Sequence, residues 1–215
     1  MTQLFDPVEH QPLDKRPWSE SEARAVIAML VDETVAAWHP QHWWPPHPDE
    51  DGVEDLAISE PHLYMGASGL VLALDFLRRN GYEGAVRFDT ARAAETIAGD
   101  LSSDILEVPW YFAGSLGPIF VTAIISGTDD AKDRLESALL ANLDSEADEL
   151  FAGVPGGMLA CRLMWERDGD VRWRELFLQG LERMWPRWIE RDEAIFLWKN
   201  PLYGRPVTSY IGAGH

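Results

Sequence analysis

The sequence is poor in cysteine and in basic residues, and both shortages limit what the protein can be. Cys161 is the only cysteine in 215 residues, so the chain can form neither an internal disulfide nor a multi-cysteine zinc site. Lysines and arginines number 18 against 36 aspartates and glutamates, which gives a net charge of −18. Such an acidic surface repels phosphate backbones and anionic lipid headgroups, so nucleic acid and membrane surfaces are not expected partners.

Long apolar runs are also lacking. No stretch approaches the roughly 20 residues that cross a bilayer, and residues 1–18 do not show the basic-then-apolar pattern of a signal peptide. Together with the lone cysteine, this favours a cytoplasmic protein. The hydrophobic fraction of 46% is still high enough for a substantial core.

The first helix is predicted to begin the folded domain at Ser19, after a lead of residues 1–18. Ser19 can cap this helix, and Glu22 can complete a capping box. Apolar residues then recur at intervals of three and four and predict one buried stripe, formed by Val26, Ile27, Leu30, Val31, Val35 and Trp38. Residues 39–62 mix proline, tryptophan and acid without periodicity, which predicts a long loop.

Three glycine pairs with the spacing G-x-x-G open directly onto apolar helical runs. They are Gly66 and Gly69, Gly114 and Gly117, and Gly153 and Gly156. Their first glycines lie 48 and 39 residues apart, a spacing typical of stacked supersecondary repeats. Because glycine before a helix permits close backbone approach, we expect these glycines to be structural.

More polar helices are predicted between the glycine-led ones, over about 90–101, 128–142 and 171–188. The second would begin with Asp129 and Asp130, which suit the positive end of a helix. This alternation predicts an all-α fold with an inner layer of apolar helices and an outer layer of polar ones. The one strand-like run, 194–198, is short.

Four segments resemble motifs of the LanC-like (lanthionine synthetase C-like) family and follow the family's order over about 60–215. They are LYMGASGLVLAL, similar to L-Y-x-G-x-x-G; FAGSLGPIFVTAII, similar to F-x-x-G-x-x-G-P; DELFAGVPGGMLA, similar to D-E-L-L-x-G-x-x-G; and LYGRPVTSYIGAGH, similar to the stretch that ends G-A-A-H-G. The resemblance implies an α/α toroid of seven hairpins, of which residues 19–215 would form about three to four. It also makes Gly212 a structural glycine.

The activity that the resemblance implies is zinc-assisted addition of a thiol to a dehydroamino acid. The thiol is a peptide cysteine in the lanthionine synthetases and glutathione in the animal members. Zinc suits this chemistry because it holds sulfur as the nucleophilic thiolate. The family's zinc ligands belong to later repeats, so we expect no metal or cofactor in this chain, zinc in a longer polypeptide, and a fragment that is inactive alone. Unpaired toroid edges would favour self-association.

Four residues are candidate site residues through the same resemblance. His215 matches the histidine of the G-A-A-H-G segment, which implies acid/base steps beside a zinc-bound thiolate. Glu149 stands where bacterial cyclases carry an active-site aspartate, and it could orient that histidine or cap the turn before Gly153. Tyr203 and Arg205 belong to a Y-G-R segment and are candidate substrate-binding residues for a peptide or thiol.

Two other functional classes stay open. A non-catalytic helical repeat could bind a peptide at its glycine-lined mouth, and a six-hairpin glycoside hydrolase would also be an α/α barrel, with two carboxylates as acid and base. Helix-spaced tryptophans are interpreted as core rather than as a carbohydrate platform; they are Trp165, Trp173, Trp185 and Trp188. Cys161 is interpreted as a small buried hydrophobic residue.

The stretch after the first helix contains three histidines, His39, His42 and His47. Their spacing fits no common ligand pattern, and the prolines between them give no shared face, so we do not interpret them as a metal site. The adjacent Trp43 and Trp44 are predicted to form a plug packed across the helices.

Overall fold

The computed structural model describes residues 16–45, 60–64, 66–101, 108–192, 195–202 and 205–209. Within these ranges the chain forms eight α-helices, a 3-10 turn and a three-stranded antiparallel sheet. Most described residues are helical, which confirms the predicted all-α class.

The elements follow one another with all the described helices before the sheet. The helices are α1 (Glu20–Ala37), α2 (Ala67–Arg79), α3 (Glu83–Val86), α4 (Thr90–Gly99), α5 (Leu116–Ser126), α6 (Asp129–Asn142), α7 (Val154–Asp168) and α8 (Val171–Met184). The 3-10 turn Trp185–Arg187 and the strands β1 (Ile189–Asp192), β2 (Ile195–Leu202) and β3 (Arg205–Ser209) come next. Strand β2 pairs with both neighbours, so the short run predicted at 194–198 belongs to a longer central strand.

Side-chain caps begin four of these helices, α1, α4, α6 and α8. The hydroxyl of Ser19 accepts a hydrogen bond from the backbone N–H of Glu22. Among the described contacts, this is the one hydrogen bond of the predicted capping box. Thr128 caps α6 through the N–H of Ala131, just ahead of the predicted acidic turn. Asp170 likewise caps α8. Each cap pairs an N–H that the helix itself leaves without a partner.

The glycine-led helices α2, α5 and α7 form a row, in which α2 packs on α5 and α5 packs on α7. The more polar helices lie against this row: α4 contacts α2 and α5, α6 contacts α5 and α7, and α8 contacts α7. Most of α5 is buried, whereas α8 buries a single stripe at helical spacing, formed by Trp173, Leu176, Gly180 and Met184. The predicted alternation of apolar and polar helices is therefore present in space.

The buried stripe predicted for α1 is only partly correct. Val31 is buried, while Ile27, Val35 and Trp38 are half-buried against the core. Val26 and Leu30 are exposed instead. The reason is that α1 packs chiefly on α3, which is a single turn of four residues and too short to cover the whole stripe.

Tryptophans behave differently in two parts of the fold. Trp43 and Trp44 are buried as predicted, and the indole N–H of Trp44 donates to the carbonyl oxygen of Thr34 at 2.7 Å. Trp173 is also fully buried, as predicted. The core interpretation is wrong for Trp165, Trp185 and Trp188, which are exposed.

Length and composition decide whether any of the described helices could cross a bilayer. A spanning helix needs both sufficient length and a predominantly apolar composition. None of the helices within the described ranges meets both requirements.

Candidate functional site

The three glycine pairs lie in turns that share one backbone hydrogen bond. The residue after the first glycine donates to the carbonyl oxygen six positions before that glycine: Ala67 to Glu60 at 2.8 Å, Ser115 to Val108 at 3.1 Å, and Val154 to Ala147 at 3.2 Å. In every turn, a Cβ on the first glycine would overlap that same carbonyl oxygen. Glycine at the first position of each turn therefore permits a backbone approach that a Cβ would block.

In the second and third turns, the second glycine touches the turn before it. A Cβ on Gly117 would come within 2.9 Å of the Leu63 Cβ, and one on Gly156 within 2.7 Å of the Tyr111 Cβ. Leu63 and Tyr111 occupy the same position in their own turns, six residues before the second glycine. Successive turns therefore nest against each other in one repeated way.

Aromatic residues two positions before each first glycine meet in a cluster. The ring centroid of Tyr64 lies 6.1 Å from that of Phe112 and 5.2 Å from that of Phe151, and the two phenylalanine rings stack at 5.9 Å. The backbone N–H of Tyr64 donates to the Phe112 carbonyl, and the N–H of Phe112 donates to the Phe151 carbonyl. This aromatic cluster, Tyr64, Phe112 and Phe151, brings the three turns together beside the N-terminal ends of the inner helices.

Glu149 is buried in the third turn, where its carboxylate accepts two backbone hydrogen bonds. One oxygen accepts from the N–H of Phe151 at 2.7 Å, and the other accepts from the N–H of Ala152. Of the two roles considered for Glu149, the described contacts are those of a cap on the turn before Gly153. Both carboxylate oxygens therefore accept hydrogen bonds from the backbone of the turn itself.

The neighbouring Asp148 connects the third turn to the C-terminal elements. Its carboxylate is buried and lies 2.7 Å from the guanidinium of Arg187, while its backbone N–H donates to the side-chain oxygen of Asn200 in β2. Burial raises the pKa of Asp148 to about 6, and the positive charge of Arg187 opposes that rise. The carboxylate and the guanidinium are close, yet they are not aligned as a hydrogen bond. Sequence reasoning missed Arg187 and Asn200, because no local pattern marks contacts so distant along the chain.

The second and third turns are bridged by Asn142 at the end of α6. Its buried side-chain amide donates to the carbonyl oxygen of Pro109 at 2.8 Å and to that of Gly153 at 3.3 Å. A Cβ on Gly157 would overlap the Asn142 side-chain oxygen. Glycine at this position in the first turn of α7 therefore leaves room for the Asn142 amide. The sequence did not single out Asn142.

Several candidate residues fall outside the described part of the chain or at its limits. Tyr203, Gly212 and His215 lie outside the described residues. Arg205 is the first residue of β3, where the backbone alone is described.

The donors required for the implied zinc site are not assembled in the described ranges. Cys161 is buried in α7, and burial raises the pKa of its thiol to about 12, so this sulfur stays protonated and does not fit a thiolate ligand. Its interpretation as a small buried hydrophobic residue is confirmed. The rings of His39 and His42 stack at 4.9 Å, and His47 lies outside the described residues. Over the same ranges, no three histidine, cysteine or acidic side chains form a group that could hold a metal.

Comparison with known proteins adds no family to these observations. No protein-family model, curated protein or solved structure matches the chain. The LanC-like assignment therefore stays a prediction from the four motifs, and the geometry of the turns is the structural basis for any functional proposal.

Proposed function

We propose that this chain is the N-terminal part of a LanC-like α/α toroid and that the end bearing the aromatic cluster binds a peptide containing dehydroamino acids. The observation that supports this most is the equivalence of the three glycine turns, which share a hydrogen bond, a Cβ overlap and an aromatic position. Repeats that nest in register around a common direction are what a helical-hairpin barrel requires. We also propose a cytoplasmic location, consistent with a single reduced cysteine.

The proposed reaction is addition of a thiol to the double bond of a dehydroalanine or dehydrobutyrine residue. Sulfur forms a bond to the β-carbon, the carbon–carbon π bond breaks, and the α-carbon takes up a proton. The described residues do not fit a zinc site, so we assign peptide binding to this part of the chain and thiol activation to residues outside it. Within this proposal, Tyr203 and Arg205 contact the peptide, and His215 serves in acid/base steps of a longer polypeptide.

Tyr64 is the residue of the cluster best placed to contact a peptide. Its side chain is 61% exposed, and its ring lies edge-on to both phenylalanines. An exposed aromatic ring supported by other rings offers a rigid apolar surface with a polar hydroxyl. We therefore expect Tyr64 to be the main anchor for an apolar or aromatic peptide side chain.

Peptide binding can be tested with a fluorescent peptide that carries dehydroalanine and a matched peptide that carries alanine. We expect saturable binding with a preference for the dehydroalanine peptide, and we expect Tyr64→Ala to weaken it by about tenfold, as for a binding hot spot. Val86→Ala, at a residue on α3 that is 57% exposed, is the matched control and should bind normally. No binding, or equal loss in both variants, would contradict the proposal.

The assignment of thiol activation to other residues has its own test. Glutathione addition to the dehydroalanine peptide can be followed by mass spectrometry, with the chain alone and with added zinc. We expect the rate to equal that of the buffer in both cases. Acceleration by the 215-residue chain would contradict this division of roles.

A non-catalytic peptide-binding repeat is the second candidate. It is favoured by the contacts of Glu149, whose carboxylate is occupied by two backbone donors rather than directed at a substrate. This alternative predicts binding of the alanine and dehydroalanine peptides with equal affinity. The six-hairpin glycosidase alternative needs two available carboxylates, whereas Asp148 is paired with Arg187 and Glu149 caps a turn.

A further inference from the structure

Within the described part of the chain, the row of nested turns has an unfilled position at each end. A Cβ on Gly69 would meet only Leu63 of its own turn among the described residues, whereas Gly117 and Gly156 each touch the preceding turn. At the other end, Leu150 of the third turn is equivalent to the buried Leu63 and Tyr111, but it is only half-buried. Among the described residues, the first turn therefore has no neighbouring turn before it, and the third turn has none after it.

The helix α2 shows the same open position along its length. Its residues Leu70, Ala73 and Phe76 are all exposed. Counted from the second glycine, the equivalent residues are Pro118, Val121 and Ile124 in α5 and Gly157, Ala160 and Leu163 in α7, and all six are buried or half-buried. The same side of those helices faces the preceding unit, because Thr122 donates to the Ala94 carbonyl of α4 and Gly157 lies against Asn142 of α6. The exposed face of α2 is thus one that the other inner helices use for packing.

The opposite end of the row is a groove between α7 and α8. It has a volume of about 240 Å³, with Cys161, Trp165, Trp173 and Phe177 as its apolar lining and three charged residues, Arg162, Glu166 and Arg174, completing it. Helix α5 packs against both α2 and α4, and α7 packs against both α5 and α6. By continuation of that pattern, the α7–α8 groove is the seat for one more glycine-led helix.

We propose that the α2 face of a second copy of this chain occupies the α7–α8 groove, so that copies associate head to tail. The second copy is the fitting occupant for the 215-residue chain because α2 is itself a glycine-led helix whose backward face is open among the described residues, and the contact would continue the α2–α5 and α5–α7 interfaces. In the longer polypeptide of the proposed function, the next hairpin of the same chain would take this groove instead. It would bring Leu150 of one copy toward Gly69 of the next. A head-to-tail contact of this kind is heterologous, so it builds open chains or closed rings. This inference rests on the repeat geometry and does not depend on peptide binding.

The net charge of −18 opposes association of two copies. Salt screens charges over about 10 Å at 0.1 M, so added salt should strengthen the contact rather than weaken it. This direction distinguishes an apolar contact from an ionic one.

The test compares charge insertions at each edge by sedimentation velocity over a range of protein and salt concentrations. Trp165→Glu alters the groove and Phe76→Glu alters the α2 face. Leu140→Glu on α6 is the control, because Leu140 is 47% exposed and Trp165 is 46% exposed. We expect the wild type and Leu140→Glu to associate with rising concentration and salt, and each edge variant to be monomeric, with its dissociation constant raised by at least about tenfold. Circular dichroism should show unchanged helix content in all three variants.

Mixing the two edge variants gives the sharpest outcome. Trp165→Glu keeps an intact α2 face, and Phe76→Glu keeps an intact groove. An equimolar mixture should therefore form dimers and no larger species. A wild type that is monomeric at all concentrations overturns the proposal. Association of Phe76→Glu alone or of Trp165→Glu alone also overturns it, since either result means that an edge pairs with itself.

Discussion

The first two glycine turns and the third reach the same backbone geometry with different residues. Five positions before the first glycine, the first two turns have Pro61 and Pro109, whereas the third has Asp148. Proline restricts the backbone locally. The third turn instead uses an acidic pair, in which Glu149 caps the backbone and Asp148 reaches Arg187 and β2. One geometry is therefore built from local restriction in two places and from long-range polar contacts in the third.

This difference makes the third turn the one that communicates with the C-terminal elements. Its geometry depends on a buried carboxylate, so it should respond to pH and to substitutions far along the chain. The second turn, residues 108–117, contains neither an acid nor a histidine and should not respond in this way. Substitutions can separate what the turns share from what only the third turn has.

The largest expected effect concerns the shared feature. Gly114→Ala and Gly153→Ala each place a Cβ against a backbone carbonyl that cannot move away easily. We expect each to lower the free energy of unfolding by at least about 3 kcal/mol, at the upper end for overpacking. Gly99→Ala, at the end of α4, is the control: its added Cβ would meet no atom of the described residues within 4 Å, so it should be neutral or slightly stabilising. Urea denaturation measures all three, and a mild effect at Gly114 or Gly153 would contradict the shared geometry.

Removal of the Glu149 cap should affect the third turn alone. Glu149→Ala leaves the N–H groups of Phe151 and Ala152 buried without acceptors, which should cost about 2–3 kcal/mol. Glu149→Gln keeps one acceptor oxygen and should cost about half as much. Denaturation of both variants under the same conditions tests this order. An equal cost for alanine and glutamine would mean that the two hydrogen bonds are not what Glu149 contributes.

A smaller effect should appear as pH dependence of Asp148. Its pKa of about 6 in the folded protein lies above the ordinary value near 4, so the folded state holds this proton more tightly than the unfolded state. The contribution of Asp148 to the free energy of unfolding therefore falls as pH rises from about 4 to 6. Asp148→Asn lacks this titration, so its stability relative to the wild type should improve by on the order of 1–2 kcal/mol between pH 4 and 7. A difference that stays constant over this range would contradict the assignment.

The sequence predicted what depends on neighbours along the chain. The Ser19 cap, the start of each glycine-led helix and the burial of Cys161 all follow from local pattern, and the structure contains them. The contacts of Asp148 with Arg187 and Asn200 were not predictable, since they join residues 39 and 52 positions apart. Spacing between glycines predicted a repeat, but only the structure shows that Gly117 and Gly156 each lie against the preceding turn.

Exposure was the least predictable property. Helical spacing shows that Trp165 and Leu30 lie on apolar faces, but burial also needs an element long enough to cover that face. Helix α3 is too short for α1, and no described element covers the groove beside α7. For Glu149, the sequence predicted the capping role only as one of two possibilities.

The most direct test of the central claim is a nuclear Overhauser experiment on protein with labelled tyrosine and phenylalanine rings. The three turns converge only if Tyr64 lies beside both Phe112 and Phe151, the latter being 87 residues away along the chain. We predict cross-peaks from Tyr64 to both rings, with the second set lost in Phe151→Leu. Cross-peaks to neither ring in folded protein would contradict the convergence of the glycine turns.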